Sequence, residues 1–442
     1  MQSILIIGAG RSSSALISYL LKHAEVHDWS VRVGDMNEQF AKDRVGGSKR
    51  GTPFKFDINN QTQREEEIRK ADIVVSMLPA TMHGQVAEDC VRFGKHLVTA
   101  SYVSDKMRSL DAEAKSKGVI LLNEIGLDPG IDHMSAMQII DDIRAKGGEM
   151  KAFYSYCGGL VAPESNDNPW GYKFSWNPRN VILAGQGAPA TFIENGELKE
   201  IPYGKLFSSA RQIEVTGHGK FDAYANRDSL SYRGVYRLEN IPTMLRGTLR
   251  AEGYCKAWNI LVQIGWTNDV DQKIGTNHLT YGQLTDALLA TREKSLRAQV
   301  AQNVGLPDND PALDLVEWTG LFGEEMIPLE NGTPAQILQE LLERKWKLQH
   351  GDKDMIVMQH EFQYEIDGRN ARITSSLVVI GEDEIHTSMA KTVGLPAAIA
   401  VKMILTGQYK SSGVVVPVKK ELYEPVLKEL AEMGINFDEQ HY

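Results

Sequence analysis

Short apolar runs alternate with amphipathic stretches through the first third of the chain. Residues 4–7, 30–33, 53–56, 73–78, 96–99 and 119–122 are runs of the kind expected of strands buried on both faces. Between them, 62–70, 83–93 and 105–117 read as helices, and a further helix carries Ala15, Leu16, Tyr19 and Leu20 on one side. Strand–helix alternation of this type predicts a parallel sheet with right-handed crossovers. The series closes on Asn123-Glu124-Ile125-Gly126-Leu127-Asp128-Pro129-Gly130-Ile131-Asp132-His133. Pro129 fixes φ and Gly130 permits positive φ, so a stiff turn is expected there, opening into a helix over 131–146. Asp128 falls near the carboxyl end of the last strand. Asp132 falls in the first turn of the helix, where an acid suits the dipole.

After residue 150 the pattern changes to β-rich. A strand over 151–157 leads into Gly158-Gly159 and then a long polar loop, 163–178, containing Trp170, Tyr172, Lys173, Phe174 and Trp176. Long loops inside compact enzymes are usually functional, and this one suits the wall of a pocket. Residues 224–229 and 245–250 read as polar islands between short strands. Residues 257–348 look helical and carry no chemical motif; Thr333-Pro334-Ala335-Gln336 there is a capping box with Pro at the first helical position. Strict alternation returns over 355–366 and 371–380, joined by the hairpin signal Asp367-Gly368. The small-residue stretch 388–405 reads as helix, and Gly394 and Pro396 within it predict two helices or a bend.

The expected fold class is therefore α/β. Residues 1–128 form a Rossmann-type parallel sheet, with 388–442 packing back on it. Residues 129–256 and 349–387 form a mixed α+β substrate domain, and 257–348 an inserted all-helical subdomain.

Composition narrows the function. Of 442 residues, 42% are hydrophobic and 24% charged, as in an ordinary globular chain. A net charge of −10 with no long basic run argues against nucleic acid or an anionic membrane as partner. Cys90, Cys157 and Cys255 are too few and scattered for a disulfide framework or a cysteine zinc site, so no metal is expected and a reducing, cytoplasmic location is. The chain opens directly into a strand and has no 18-residue apolar run, so neither a targeting segment nor a transmembrane helix is expected.

The first strand ends in Gly8-Ala9-Gly10-Arg11-Ser12-Ser13, a G-x-G-x-x-G pattern with serine at the last place. Such glycines let backbone approach a pyrophosphate held at the helix N-terminus. The second strand ends at Asp35, close to the place of a ribose-binding acid. A carboxylate there repels a 2′-phosphate, so NAD is expected over NADP. Other strand ends bring Asp57, Ile58, Met77, Leu78, Pro79, Ser101, Tyr102, Leu127, Asp128 and Pro129 toward the same dinucleotide. His83 reads as structural, and His133 as a residue that caps or orients. Arg227, Arg246 and Arg250 could clamp carboxylates.

Several islands together resemble the glutamate-forming saccharopine dehydrogenases. They are the pivot Gly126 to His133, Ser101-Tyr102-Val103-Ser104, Ser155 to Leu160, Pro163-Glu164-Ser165, Tyr172 to Trp176, Asn226 to Ser229, Arg246 to Arg250 and Met389-Ala390-Lys391. Gly34-Asp35-Met36 and Lys353 to Met358 are similar to the dehydrogenase half of bifunctional aminoadipate semialdehyde synthases. Val161 and Trp170 depart from the family's usual proline and leucine. The resemblance implies a Rossmann domain, a β-rich substrate and dimerisation domain, a helical third domain and a homodimer. It implies reversible oxidation of saccharopine to L-glutamate and 2-aminoadipate 6-semialdehyde in lysine metabolism, with degradation favoured. Carried over, Ser101, Tyr102 and Asp128 touch the substrate near the nicotinamide, and Arg227, Thr248, Leu249 and Arg250 hold its carboxylates; three carboxylates also ask for a lysine, and Lys173 is the expected one. Asp128 and Tyr102 are the expected acid–base pair, with Cys157 third. The competing readings are an NADP-linked enzyme on a related secondary amine and a non-catalytic dinucleotide sensor.

Overall fold

The structure, a computed structural model, describes residues 1–269, 273–289 and 295–442. By internal contacts it divides into two compact units: Met1–Glu149, Ile366–Gly368 and Leu377–Asp438 form the first, and Met150–Glu365, Arg369–Ser376 and Glu439–Tyr442 the second.

The first unit is built on a seven-stranded sheet. Its order is Gly413–Val415, Ile120–Leu122, His96–Val98, Ile73–Ser76, Gln2–Ile7, Trp29–Asp35 and Gly51–Lys55. Every pairing along it is parallel. Chain order reverses direction at Gln2–Ile7, so a crevice is expected outside the carboxyl ends of that strand and its neighbours. Leu5, Ile7, Val74, Leu97 and Leu121 pack on one face against Val86, Ala87, Cys90 and Ala114 of the helices. That burial is why the runs are continuously apolar rather than alternating. The stretch expected as one helix over 105–117 is two, Asp105–Ser109 and Asp111–Ser116.

Residues 388–405 form one continuous helix, Ser388–Leu405, with Pro396 inside it, rather than two helices. This helix is long and apolar enough to cross a membrane by length and composition, contrary to the sequence expectation, but 72% of it is buried inside the protein. It packs on the helix Ser14–His27. A Cβ on Gly394 would stand 2.9 Å from the Leu16 nitrogen and 3.0 Å from the Leu16 Cβ. Gly394→Ala should therefore force two helices apart and cost about 1–3 kcal/mol, read as a fall in the urea midpoint. An unchanged midpoint would mean that the helix pair shifts without penalty.

The second unit carries a mixed nine-stranded sheet. Its path runs Arg211–Val215, Gly219–Ala225, Thr243–Ala251, Glu149–Val161, Asp354–Ile366, Arg369–Ile380 and Phe437–His441; Ala190–Glu194 pairs Thr243–Ala251 and Glu197–Ile201. Thr243–Ala251 lies parallel to Glu149–Val161 and antiparallel to Gly219–Ala225. The expected hairpin turn is present: Asp367 and Gly368 have φ of 50° and 70°. The helices Tyr254–Gln263, Tyr281–Leu288, Leu296–Val304, Pro311–Trp318 and Pro334–Lys345 occupy the stretch read as helical, of which 270–272 and 290–294 lie outside the described residues. The Thr333 capping box closes as expected, with Gln336 returning to the Thr333 N–H.

Two expectations for this unit fail. Residues 245–250 are not an island between strands: they are the middle of Thr243–Ala251. The loop 163–178 does not present its aromatics as an open wall. Trp170, Tyr172 and Phe174 are fully buried, and they join Tyr254, Trp258 and Trp346 in one cluster. The exposed positions of the loop include Glu164, Asn166 and Asp167 with the two prolines Pro163 and Pro169, while Lys173 and Ser175 are buried along with these rings.

Candidate active site

In the first unit the strand ends build the cradle that the glycine pattern promised. Gly8 has φ +104, and a Cβ there would lie 2.9 Å from the Met77 carbonyl oxygen. Only glycine lets the first and fourth strand ends approach this closely. Ala9, Gly10, Arg11 and Ser12 follow, and the Ser13 hydroxyl donates to the Gly10 carbonyl at 2.8 Å before the helix Ser14–His27 begins. A turn with two glycines ahead of a helix N-terminus fits a dinucleotide pyrophosphate. Asp35 caps the loop: one carboxylate oxygen accepts from the Ala9 N–H at 2.7 Å and the other from the Asn37 N–H at 2.8 Å. At the third strand end, Asp57 accepts from the Asn59 N–H and Ile58 is buried. Met77, Leu78 and Pro79 follow the fourth strand, with the Met77 N–H on the Ile7 carbonyl.

The pivot brings two of the predicted acid–base residues together. The Tyr102 hydroxyl donates to Asp128 Oδ1 at 3.1 Å, and Tyr102 is 48% exposed. Pro129 and Gly130 turn the chain as expected, and Gly130 has φ +148. Its N–H donates to Asp132 Oδ1 at 2.6 Å, so Asp132 serves the turn. Leu127 is buried beside them.

Around this pair lies a buried polar network that the sequence reading did not single out. Glu124 has φ +58 and is 5% exposed. Its Oε1 accepts from the Val103 N–H at 2.9 Å, its Oε2 lies 2.9 Å from His133 Nε2, and its N–H donates to the Ser101 carbonyl at 3.1 Å. Asp132 Oδ2 is 3.6 Å from His133 Nδ1 on the far side. His133 thus orients Glu124, and Glu124 holds the 101–103 loop at both ends. His83 is buried under the same loop. Its Nδ1 lies 2.8 Å from Ser76 Oγ, and its Nε2 lies 2.7 Å from Ser101 Oγ and 3.3 Å from Thr99 Oγ1. Burial pushes the His83 pKa down to about 4, so the ring is neutral near pH 7. The signal that could have revealed this network was polar residues terminating buried strands: Ser76 after Ile73-Val74-Val75, Thr99 after Leu97-Val98, Glu124 after Leu121-Leu122.

In the second unit the predicted cationic residues separate into distinct roles. Arg246, Thr248 and Arg250 alternate along Thr243–Ala251 and so share a face, while buried Leu249 points to the other. The Arg250 guanidinium is 3% exposed. It donates to the Leu249 carbonyl at 3.0 Å and the Tyr224 hydroxyl at 3.3 Å, and its Nε has no hydrogen-bond partner. Its carbon lies between 5.4 and 5.7 Å from the ring centres of Tyr172, Tyr224 and Tyr254. Among the described residues it has no carboxylate partner. Arg246 is also buried, 4.1 Å above the Tyr232 ring. Arg227 is exposed and donates to the Gln186 carbonyl at 3.1 Å. Thr248 donates to Asn226 Oδ1 at 2.7 Å, and Cys157 stands beside Thr248 in the register, buried.

Lys173 is placed differently from the expectation. Its side chain is 1% exposed, and its ammonium binds Asp167 at 2.8 Å and Asp352 at 2.6 Å. A buried cation that already holds two carboxylates is a tie within the unit, and no charge is left over for a third acid.

Comparison with known proteins agrees with this geometry. A family model described as Saccharopine dehydrogenase NADP binding domain matches residues 4–122, and one described as Saccharopine dehydrogenase C-terminal domain matches 126–435. The saccharopine dehydrogenase (NADP+, L-glutamate-forming) of Pyricularia oryzae is 34% identical over 441 residues, covering 98% of this chain and 97% of that one. The mitochondrial alpha-aminoadipic semialdehyde synthase of Bos taurus is 34% identical over 450 residues, 99% of this chain and 48% of that one. The solved apo structure of histidine-tagged saccharopine dehydrogenase (L-Glu forming) from Saccharomyces cerevisiae matches with a TM-score of 0.91 over the whole of both chains, at 32% identity.

These matches overturn the expected preference for NAD: the domain model and the fungal relatives carry NADP in their descriptions. The expectation rested on the position of Asp35 alone. The expectation took its carboxylate to face the ribose. Instead one oxygen accepts from the Ala9 N–H and the other from the Asn37 N–H, so the carboxylate caps its own loop.

Proposed function

Because the chain belongs to the saccharopine dehydrogenase family, we propose that it interconverts saccharopine with L-glutamate and 2-aminoadipate 6-semialdehyde, using NADP, in lysine metabolism. It is an oxidoreductase acting on CH–NH donors. The observation that carries the substrate is Arg250, a buried guanidinium without an acidic partner among the described residues. Such a charge asks for an anion from outside the fold, and saccharopine brings three carboxylates. Arg227, exposed at the start of its loop, is suited to a second.

The bound nicotinamide supplies a hydride acceptor. The protein's part is to hold the cofactor at Gly8 to Ser12, to hold the carboxylates, and to manage protons. Saccharopine's secondary amine must give up a proton as the carbon on its lysine-derived side loses hydride, leaving a C=N bond. Water then adds to that carbon, the C–N bond breaks, and the nitrogen leaves as the amine of glutamate. Asp128, with Tyr102 on it, is the group assigned to those proton transfers.

The test is turnover of saccharopine with NADP+, followed by cofactor absorbance and by glutamate release. One glutamate per NADPH is expected. Cofactor reduction without glutamate, or none with saccharopine at all, would sink the proposal.

A further inference from the structure

We propose that His83 is a positioning residue for the reaction: it fixes the hydroxyl of Ser101 toward the substrate by bridging Ser101 to the buried Ser76 across two neighbouring strand ends. This rests on the reading that Ser101 touches saccharopine. The geometry is specific. Ile73–Ser76 and His96–Val98 are adjacent parallel strands, and each ends in a hydroxyl residue beyond or at its last position, Ser76 and Thr99. His83 opens the helix His83–Phe93 that follows the first of them. From there its ring spans the gap: 2.8 Å to Ser76 Oγ on one nitrogen, 2.7 Å to Ser101 Oγ and 3.3 Å to Thr99 Oγ1 on the other. Thr99 Oγ1 also accepts the Ser101 N–H at 3.3 Å, so backbone and side chain of Ser101 are both held from below.

A neutral imidazole has one donor and one acceptor, and both are used here. A serine hydroxyl otherwise turns among three staggered positions, and the contact at 2.7 Å selects one of them. The remaining hydrogen-bonding capacity of Ser101 then points away from the ring, in a fixed direction. His83 does not conduct protons, because the chain of contacts ends at Ser76, which is 1% exposed. Its role is to hold. This also accounts for a buried histidine at a helix start whose ring is bonded to the hydroxyls of Ser76, Thr99 and Ser101.

The test is a cycle of variants read as kcat/KM for saccharopine, with NADPH affinity by fluorescence and thermal midpoint recorded for each. His83→Phe keeps the bulk and removes both nitrogens. It should lower kcat/KM about 10- to 100-fold, the range of one lost hydrogen bond to a reacting complex, with NADPH affinity unchanged. His83→Gln, whose amide reaches the Nε2 position, should recover most of that loss. Ser101→Ala should lose a similar factor, and the double variant His83→Phe/Ser101→Ala should be no worse than Ser101→Ala alone. If Ser101→Ala is impaired and His83→Phe is not, or if the two losses multiply, the inference is overturned while the role of Ser101 stands. If Ser101→Ala itself is unimpaired, the reading beneath the inference falls with it. Should His83→Phe fail to fold, Ser76→Ala loosens the ring without removing it. A loss there that vanishes in the Ser101→Ala background supports the inference, and no loss there overturns it.

Discussion

Arg250→Met should leave the protein about as stable as before while raising KM for saccharopine about 30- to several thousand-fold. The two halves of that expectation come from one fact. The Arg250 charge is buried among Tyr172, Tyr224 and Tyr254 with only a carbonyl and a phenol to bond, and its Nε bonds nothing. Burying a cation without an anion is costly, and replacing such a group by an apolar side chain of similar volume is often neutral or stabilising. Thermal unfolding of the free variant should thus move by no more than about 1–2 kcal/mol in either direction. The substrate, by contrast, loses a desolvated charge partner, which costs roughly 2–5 kcal/mol, or about 30- to several thousand-fold in affinity. A variant that unfolds easily and binds saccharopine normally would show that the fold, and not the ligand, needs this charge. Lys173→Met should show the opposite pattern to Arg250→Met, since Asp167 and Asp352 would be left facing one another.

The contrast between those two cations marks the limit of what was legible in the sequence. Both were expected to meet substrate carboxylates, but Lys173 finds its acids inside its own unit, while Arg250 meets none among the described residues. Nothing local distinguishes them: the acids that claim Lys173 lie 6 and 179 residues away. Local pattern was enough where the physics is local. The buried parallel strands, the hairpin at Asp367-Gly368 and the Thr333 cap follow from periodicity and turn chemistry, and the structure has them. It misled where packing overrides propensity. Pro396 sits within an unbroken helix because that helix is buried against its neighbour, and Gly394 is there for the closeness of that contact rather than to end the helix. The stretch 245–250 read as an island between strands because a strand that buries arginines looks polar. The NAD expectation rested on the position of Asp35 alone, and the domain model and the fungal relatives overturn it; the partners of that carboxylate, the N–H groups of Ala9 and Asn37, were not legible there either. His83, Glu124 and His133 were in view as residues. Their connections, which join the ends of different strands, were not.

The acid–base assignment gives the other large expected effect. Asp128→Ala should lower kcat by about 100- to 10,000-fold, the usual contribution of a positioned general base. Tyr102→Phe should lower it less, about tenfold, because the phenol acts through the carboxylate it touches at 3.1 Å. The double variant should be little worse than Asp128→Ala alone, since residues that act as a unit are not additive. The pH profile separates catalysis from packing. The acidic limb of kcat should move in Tyr102→Phe, where the carboxylate loses a donor, and should flatten in Asp128→Ala, where the titrating group is gone. Cys157→Ser is the third arm. Cys157 is buried in a strand beside Thr248. If it alone lowered kcat and moved a limb, the proton would be assigned to the thiol and the Tyr102–Asp128 contact would be one of position only. If none of the three lowered kcat more than about tenfold or moved a limb, the protons would have to travel through the substrate's own amines and solvent. The protein would then contribute alignment alone: the glycine cradle for the cofactor, Arg250 for a carboxylate, and a 101–103 loop held by Glu124 and His83.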